Sequence, residues 1–351
     1  MTPMRLIVVG LGARARTWLA VISDNPDVDI VGLCDPDPAA RDRLAGQYPK
    51  AVMGAGLVDM IGVAADAVLL CTPPEGRAAL VETCCRHGLA ILAEKPLADD
   101  MATAETCVEM AESAGVPLIV GLNFRFLPVT QAMIRLFAEG TVGRPAFARF
   151  TYERWRDGTL PHLNKYPLTM DQPMLWEQSV HHFDLMRFVY GAEPVRVYAR
   201  TFNPPWSMYR GDANVSAILD FDGGLCVNYQ GTWQGNWDNL GFEWRTDCTE
   251  GVVVQQEMFG ALRYARRDDR HLRDVPLEAH VQWITDAAAL LASFVTTWRG
   301  STPPQCTGRD HLRSLQMLEA CILSSGRGEA VELAELPQLA TRAEFPLQQR
   351  S

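Results

Sequence analysis

The chain has no apolar run long enough to cross a membrane as a helix; its longest runs are strand-length. It lacks any Cys-x-x-Cys pair. Its nine cysteines are an odd number, with Cys84 and Cys85 adjacent, and give neither a disulfide framework nor a zinc-ligand spacing. Internal repeats, low-complexity tracts and long linkers are missing too, which excludes solenoids and tail-like segments. Positive charge is in deficit. Lys and Arg total 32 against 42 Asp and Glu, and the net charge of −10 argues against non-specific nucleic-acid binding. Arg5-Leu6-Ile7-Val8-Val9 reads as a buried strand so early that no signal peptide fits ahead of it, so we expect a protein of the reducing cytoplasm. What is present is an ordinary globular composition, 48% hydrophobic and 21% charged. A length of 351 residues suggests two domains.

The apolar runs Leu6–Val9, Ile30–Cys34, Ala67–Cys71, Leu89–Ala93 and Leu118–Gly121 are continuous, as in strands buried on both faces. Helical stretches lie between them at Arg16–Ser23, Ala39–Gln47, Gly76–His87 and Met101–Ser113. This repetition predicts an α/β domain over residues 1–122 with a doubly wound parallel sheet. Beyond residue 145 the pattern alternates residue by residue at Phe147–Arg154, Val195–Phe202, Val215–Phe221 and Leu225–Trp233. In the last run Leu225, Val227, Tyr229 and Trp233 share one face, opposite Cys226, Asn228, Gln230 and Thr232. Asp222-Gly223-Gly224 reads as a hairpin turn. Two late helices follow, one from Val281 to Trp298 ending at Gly300 and one over His311–Ser324. We therefore expect an α+β second domain over residues 123–351, its sheet mainly antiparallel with one covered face. A helix near Thr130–Glu139 bridges the two.

Gly10-Leu11-Gly12-Ala13-Arg14-Ala15 follows the first strand and opens a helix, giving a G-x-G-x-x-A fingerprint. Gly10 permits the tight turn, Gly12 lets backbone approach a pyrophosphate, and Ala15 allows close helix–strand packing. Asp35 ends the second strand. Its carboxylate either accepts both ribose hydroxyls and repels a 2′-phosphate, or merely starts the turn Asp35-Pro36-Asp37-Pro38. NAD is favoured on this ground. NADP stays open because Arg14 and Arg41 lie near in sequence. Thr72-Pro73, after the third apolar strand, sits where a dinucleotide would pass, or forms a structural turn. Glu94-Lys95-Pro96 follows the next strand. Proline restricts Lys95, and the Lys95–Pro96 bond is a candidate for cis.

On the predicted helix Met174–Asp184, Glu177, His181 and Asp184 share one face at helical pitch. A carboxylate beside an imidazole beside a second carboxylate can tune a general base. The alternative is an ordinary helix histidine with charged neighbours, and Asp184 in a helix–sheet salt bridge.

Together these residues resemble the glucose–fructose oxidoreductase/inositol dehydrogenase (Gfo/Idh/MocA) family. The resemblance rests on Gly10-x-Gly12-x-x-Ala15, Asp35, Thr72-Pro73, Glu94-Lys95-Pro96, Asn123-Phe124-Arg125-Phe126 and Glu177-x-x-x-His181-x-x-Asp184, in family order. The stretch from Asp310 to Leu333 also looks like the family's C-terminal helix and strand. The resemblance implies a Rossmann domain followed by a domain with an open-faced, mainly antiparallel sheet that mediates homodimer or homotetramer contacts. It implies hydride transfer between NAD(P) and a carbinol carbon of a sugar, cyclitol or related polyol. Lys95 matches the family's catalytic lysine and His181 its catalytic histidine. Glu177 stands where aspartate is common and Ser179 where glycine is common. The histidine often found soon after Thr-Pro is absent, and Arg77 lies there instead.

On this reading Lys95, His181 and Glu177 are catalytic. The cofactor meets Gly10, Gly12, Ala13, Arg14, Ala15, Asp35, Thr72, Pro73, Glu94, Lys95 and Asn123. Substrate meets Lys95, Glu177, His181, Arg125, Trp155 and Asn164, the last two from an aromatic and charged stretch between Tyr152 and Tyr166. No metal, nucleic acid or membrane is called for. Two rival classes share these residues: a glycosidase that oxidises its sugar transiently on NAD, and a non-catalytic sugar or dinucleotide sensor.

Overall fold

Continuous apolar runs early in the chain become strands buried on both faces, as the absence of a polar alternation requires. The computed structural model describes residues 2–337, so the end of the expected 123–351 domain lies outside the described residues. One unit comprises residues 2–123 with Trp283–Leu312; the other comprises Phe124–Gln282 with residues 313–337. The chain thus returns to the first unit at Trp283, a return that the sequence pattern did not suggest.

The first unit holds β1 (Met4–Val9), β2 (Val28–Cys34), β3 (Val52–Gly54), β4 (Ala67–Leu70), β5 (Ala90–Ala93) and β6 (Leu118–Val120), all parallel in the order β3-β2-β1-β4-β5-β6. This is the strand order of a doubly wound dinucleotide-binding sheet. β3 was not anticipated; it is a three-residue edge strand whose first residue is exposed, too short for a periodic signal. The connecting helices are α1 (Ala13–Ile22), α2 (Pro38–Ala45), α3 (Arg77–Arg86) and α4 (Met101–Ala114). Aspartates cap two of them: Asp37 accepts from the Ala39 N–H and Asp100 from the Thr103 N–H.

The second unit begins with α5 (Pro128–Ala138), which belongs wholly to it rather than bridging. Its nine-stranded sheet contains β7 (Pro145–Glu153), β8 (Pro194–Phe202), β9 (Asn214–Phe221), β10 (Cys226–Thr232), β11 (Gly241–Cys248), β12 (Gly251–Glu257), β13 (Gly260–Arg266), β14 (Arg273–Asp274) and β15 (Val331–Glu332). Pairing is antiparallel except where β10 runs parallel to β7. Strands β11 to β13 mix polar and apolar residues and β14 is two charged residues, so none of them was read from the sequence.

α6 (Val180–Tyr190) lies on one face of this sheet. Phe183 meets Tyr229 edge-on at 4.9 Å between ring centroids. Phe150, fully buried, meets Tyr229, Phe242, Trp244 and His182. Leu225, Val227, Tyr229 and Trp233 are all buried. The strongly apolar face is therefore core. The opposite face is open and mixed: Phe147, Tyr198, Phe202 and Ile218 are exposed there among polar residues.

Two late helices complete the fold. α7 (Thr285–Trp298) starts later than expected, because Trp283 takes φ +68° and interrupts a helix that the sequence began at Val281. α8 spans Gly308–Arg327. Among the described residues no helix is long and apolar enough to cross a membrane.

Because Phe150 joins four aromatic neighbours in this core, Phe150→Ala should destabilise the protein by about 3–5 kcal/mol in urea unfolding. A loss under about 1 kcal/mol would mean that the cluster does not hold the sheet to α6.

Candidate functional site

Groups at the carboxyl ends of parallel strands are the ligand-facing groups of such a sheet. Past β1, Gly10 turns with φ +86°. A Cβ there would lie 3.0 Å from the Cys71 carbonyl carbon and 3.1 Å from the Thr72 nitrogen. Both the backbone angle and the close approach of the chain after β4 demand glycine. Gly12 caps α1 without a side-chain hydrogen bond, and a Cβ on it would meet nothing within 4 Å. The first N–H groups of α1 thus border open space at the positive end of the helix, which fits a pyrophosphate. Ala13 opens the helix and Ala15 is buried under it.

Asp35 follows β2. Its carboxylate accepts from the Leu11 N–H at 2.6 Å and from the Asp37 N–H at 2.9 Å. The same residue therefore starts the turn and holds a carboxylate beside the glycine loop. Arg41 donates to the carbonyls of Asp35 and Pro36.

Three expected cofactor residues are engaged within the protein. Arg14 donates to Glu94 at 2.6 Å and lies over the Trp18 ring; it is not held out toward a 2′-phosphate. Glu94 is itself buried and also accepts from the Trp18 indole N–H at 2.6 Å. Asn123 is buried with its amide donating to Asp286, in the first turn of α7. Opposite charge draws Arg14 to Glu94 in a poorly solvated place, where pairing outweighs reach toward an external anion. All three side chains thus have partners within the protein. Asp286 gave no sequence signal, being an acidic residue among alanines far along the chain.

Thr72-Pro73 and Glu94-Lys95-Pro96 occupy the loops after β4 and β5. The Lys95–Pro96 peptide is cis. Burial, with Glu94 adding to it, holds the neighbouring Cys71 thiol protonated well above the usual range. Arg77, fully buried at the start of α3, donates to the carbonyls of Thr72, Glu94 and Pro96.

The second unit supplies the helix. Leu175–Ser179 forms a π-helical turn, and α6 follows. Glu177 lies in the π turn and His181 and Asp184 on α6, so one continuous α-helix over Met174–Asp184 is not what forms. The three side chains go to different partners. Asp184 takes Arg125 in a bidentate pair, Nε to Oδ2 at 2.7 Å, and also accepts from the Ser314 hydroxyl at 3.3 Å. It does not fix the His181 imidazole, and its salt bridge runs to a 3-10 turn rather than to the sheet. Arg125 is buried, with Phe188 under its guanidinium at 4.7 Å. His181, 6% exposed, stacks on Phe124 at 4.2 Å between ring centroids and 19° between planes. Glu177 accepts from the Tyr166 hydroxyl at 2.8 Å. Tyr166 closes the stretch that holds half-buried Trp155 and exposed Asn164, and Lys165 ties that stretch to the carbonyls of Gly158 and Leu160. The tyrosine–glutamate pair was missed because its members are on different elements.

Beside His181, His182 is fully buried. Tyr229 donates to Ser179 at 2.8 Å, so His182 Nδ1–H donates to the Tyr229 oxygen at 2.8 Å and Nε2 accepts from Gln178 at 3.1 Å. The hydroxyl of Ser179 thereby joins the π turn to the sheet. Among the described residues no group of three or more His, Cys, Asp or Glu is arranged to hold a metal ion.

A parallel sheet of this order with an open glycine turn defines a dinucleotide-binding oxidoreductase fold. Residues 4–122 match the Gfo/Idh/MocA oxidoreductase family, NAD-binding Rossmann fold, and residues 130–254 its C-terminal domain. The chain is 31% identical to the inositol 2-dehydrogenase of Rhizobium meliloti over 340 residues, covering 94% of this chain and 99% of that one. It is 28% identical to the D-apiose dehydrogenase of Paraburkholderia graminis over 366 residues, covering 94% and 89%. An oxidoreductase from Agrobacterium radiobacter, solved with NAD+, L-tartaric acid and magnesium, shares the fold with a TM-score of 0.86 at 20% identity, covering 95% of this chain and 99% of that one. The chain belongs to the Gfo/Idh/MocA oxidoreductase family.

Burial pushes the His182 pKa down from 6.5 to about 3. The unfolded chain then binds more protons than the folded one between these values, so stability is full above pH 6.5 and falls as pH drops toward 3. His182→Gln should flatten this acid slope in unfolding curves. An unchanged slope would show that His182 does not govern it.

Proposed function

We propose that the protein is an NAD-dependent dehydrogenase acting on a hydroxyl-bearing carbon of a sugar, cyclitol or related polyol, reversibly in principle. The observation that carries this reading is the convergence of the Gly10–Gly12 turn, Asp35 and Lys95 at the carboxyl ends of neighbouring parallel strands. The names of the relatives, an inositol and an apiose dehydrogenase, support the substrate class. The nine free cysteines support a reducing compartment such as the cytoplasm. Exposed Phe147, Tyr198 and Ile218 on the open sheet face support a homo-oligomer joined there.

When bound, the nicotinamide supplies the acceptor for the hydride that leaves the carbinol carbon. Gly10, Gly12 and the N-terminus of α1 hold the pyrophosphate, and the Asp35 carboxylate receives the ribose hydroxyls. Lys95 hydrogen-bonds the reacting oxygen and stabilises its developing negative charge. His181 takes the proton from that hydroxyl, its ring plane fixed by Phe124. Glu177, anchored by Tyr166, orients the reacting groups. Trp155 and Asn164 offer an aromatic face and an amide to the polyol.

Purified protein with NAD and a panel of polyols should form NADH. Lys95→Ala and His181→Ala should each lower kcat by about a hundredfold or more while NAD affinity stays nearly constant. More than about a tenth of wild-type turnover in either variant would reject its assigned role.

Asp35 tests the choice of cofactor. Asp35→Asn keeps an acceptor oxygen and removes the charge that repels a 2′-phosphate. The ratio of kcat/KM with NAD to that with NADP should fall about tenfold or more. A ratio that holds or rises would show that selection lies elsewhere.

A further inference from the structure

Arg77 is 1% exposed, yet the proposed chemistry does not use it. One guanidinium nitrogen, Nη1, donates to the carbonyls of Glu94 and Pro96, with the Leu97 carbonyl at 3.4 Å. The other, Nη2, donates to the carbonyl of Thr72. The two Nη1 acceptors are the peptide oxygens of the residues on either side of Lys95. A planar guanidinium presents its N–H groups in a fixed fork, so it sets the directions of these carbonyls relative to one another as well as neutralising them. A lysine at the same place is a point charge on a flexible stem and cannot fix three directions at once. Buried carbonyls without a donor are costly, and Arg77 supplies donors to three of them at once.

We propose that Arg77 is the positioning residue for Lys95: its guanidinium fixes the backbone on both sides of the lysine and registers it against the Thr72 loop. The carbonyls on both sides of Lys95 are pinned, so the Cα–Cβ direction of Lys95 is set before any ligand arrives. Arg77 does not touch the reacting atoms; it acts through Lys95. This assignment rests on the dehydrogenase reading for its catalytic consequence, but the effect on Lys95 is measurable without cofactor or substrate.

The chain has only three lysines, Lys50, Lys95 and Lys165. Lys50 and Lys165 are exposed and serve as internal references. Competitive labelling with an amine reagent, read by mass spectrometry on the apo protein, gives the rate at Lys95 relative to theirs. Arg77→Met and Arg77→Lys would be compared with wild type after far-UV circular dichroism confirms folding.

The relative rate at Lys95 should change severalfold in both variants, while the ratio of Lys50 to Lys165 stays constant. Turnover should fall about tenfold or more in kcat, with a smaller change in KM for the polyol, and Arg77→Lys should recover only part of it. A shifted pH–rate profile in the variants would accompany the loss. A folded variant with wild-type labelling at Lys95 and wild-type kcat would overturn the assignment. So would failure of both variants to fold, which would make the guanidinium a packing element. Altered labelling in a protein silent toward every polyol would defeat the proposed reaction and leave the Arg77 assignment standing.

Discussion

The buried pair between Arg125 and Asp184 is the constraint on which the second unit's functional helix depends. Truncating one member of such a pair typically costs about 3–5 kcal/mol, because the remaining charge stays buried. Its geometry matters more than its energy. Arg125 follows Phe124 in a 3-10 turn, and Asp184 lies one helical turn beyond His181. The ion pair therefore holds Phe124 against the imidazole, and the stack at 4.2 Å limits the ring to one plane. On the dehydrogenase reading proposed above, His181 accepts a proton along a defined direction and gains from that restriction, since misplacement by an ångström costs far more in rate than in stability.

A second restraint acts from the opposite side of the same helix. The π turn at Leu175–Ser179 leaves Ser179 facing the sheet, where Tyr229 donates to its hydroxyl and His182 completes the chain to Gln178. Every polar atom in that chain finds a partner, so the low dielectric strengthens the network instead of penalising it. Burial also raises the Tyr229 pKa well above its usual value, which keeps the phenol a donor. Adjacent histidines thus diverge in role. His182, wholly enclosed, stays neutral and structural, while His181, stacked against Phe124, retains slight exposure.

Much of this was legible in the chain. Continuous apolar runs specified the parallel strands because both faces of that sheet are covered, and alternation specified β7 to β10 because only one face is. The fingerprint from Gly10 to Ala15 was readable because its chemistry is local: a backbone angle, a close approach and a small residue. The partners of the site residues were not. Arg125 pairs with Asp184, Arg14 with Glu94 and Asn123 with Asp286. Each pairing joins residues at least 59 apart, beyond what spacing can report. Periodicity also misjudged the helix itself, since a π turn keeps the same residue types while changing the pitch.

Those pairings bear on how charge is distributed around the dinucleotide end of the first unit. Arg14 is paired with Glu94, while Arg41 donates to the carbonyls of Asp35 and Pro36 and keeps its full positive charge. The Asp35 carboxylate accepts from the backbone N–H groups of Leu11 and Asp37. The end of β2 therefore carries a carboxylate and a guanidinium on one turn. On the dehydrogenase reading proposed above, the Asp35 carboxylate suits a pair of ribose hydroxyls and opposes a 2′-phosphate. Arg14 and Arg41 both brace loops at this end of the sheet, Arg14 through Glu94 and Arg41 through the carbonyls of Asp35 and Pro36.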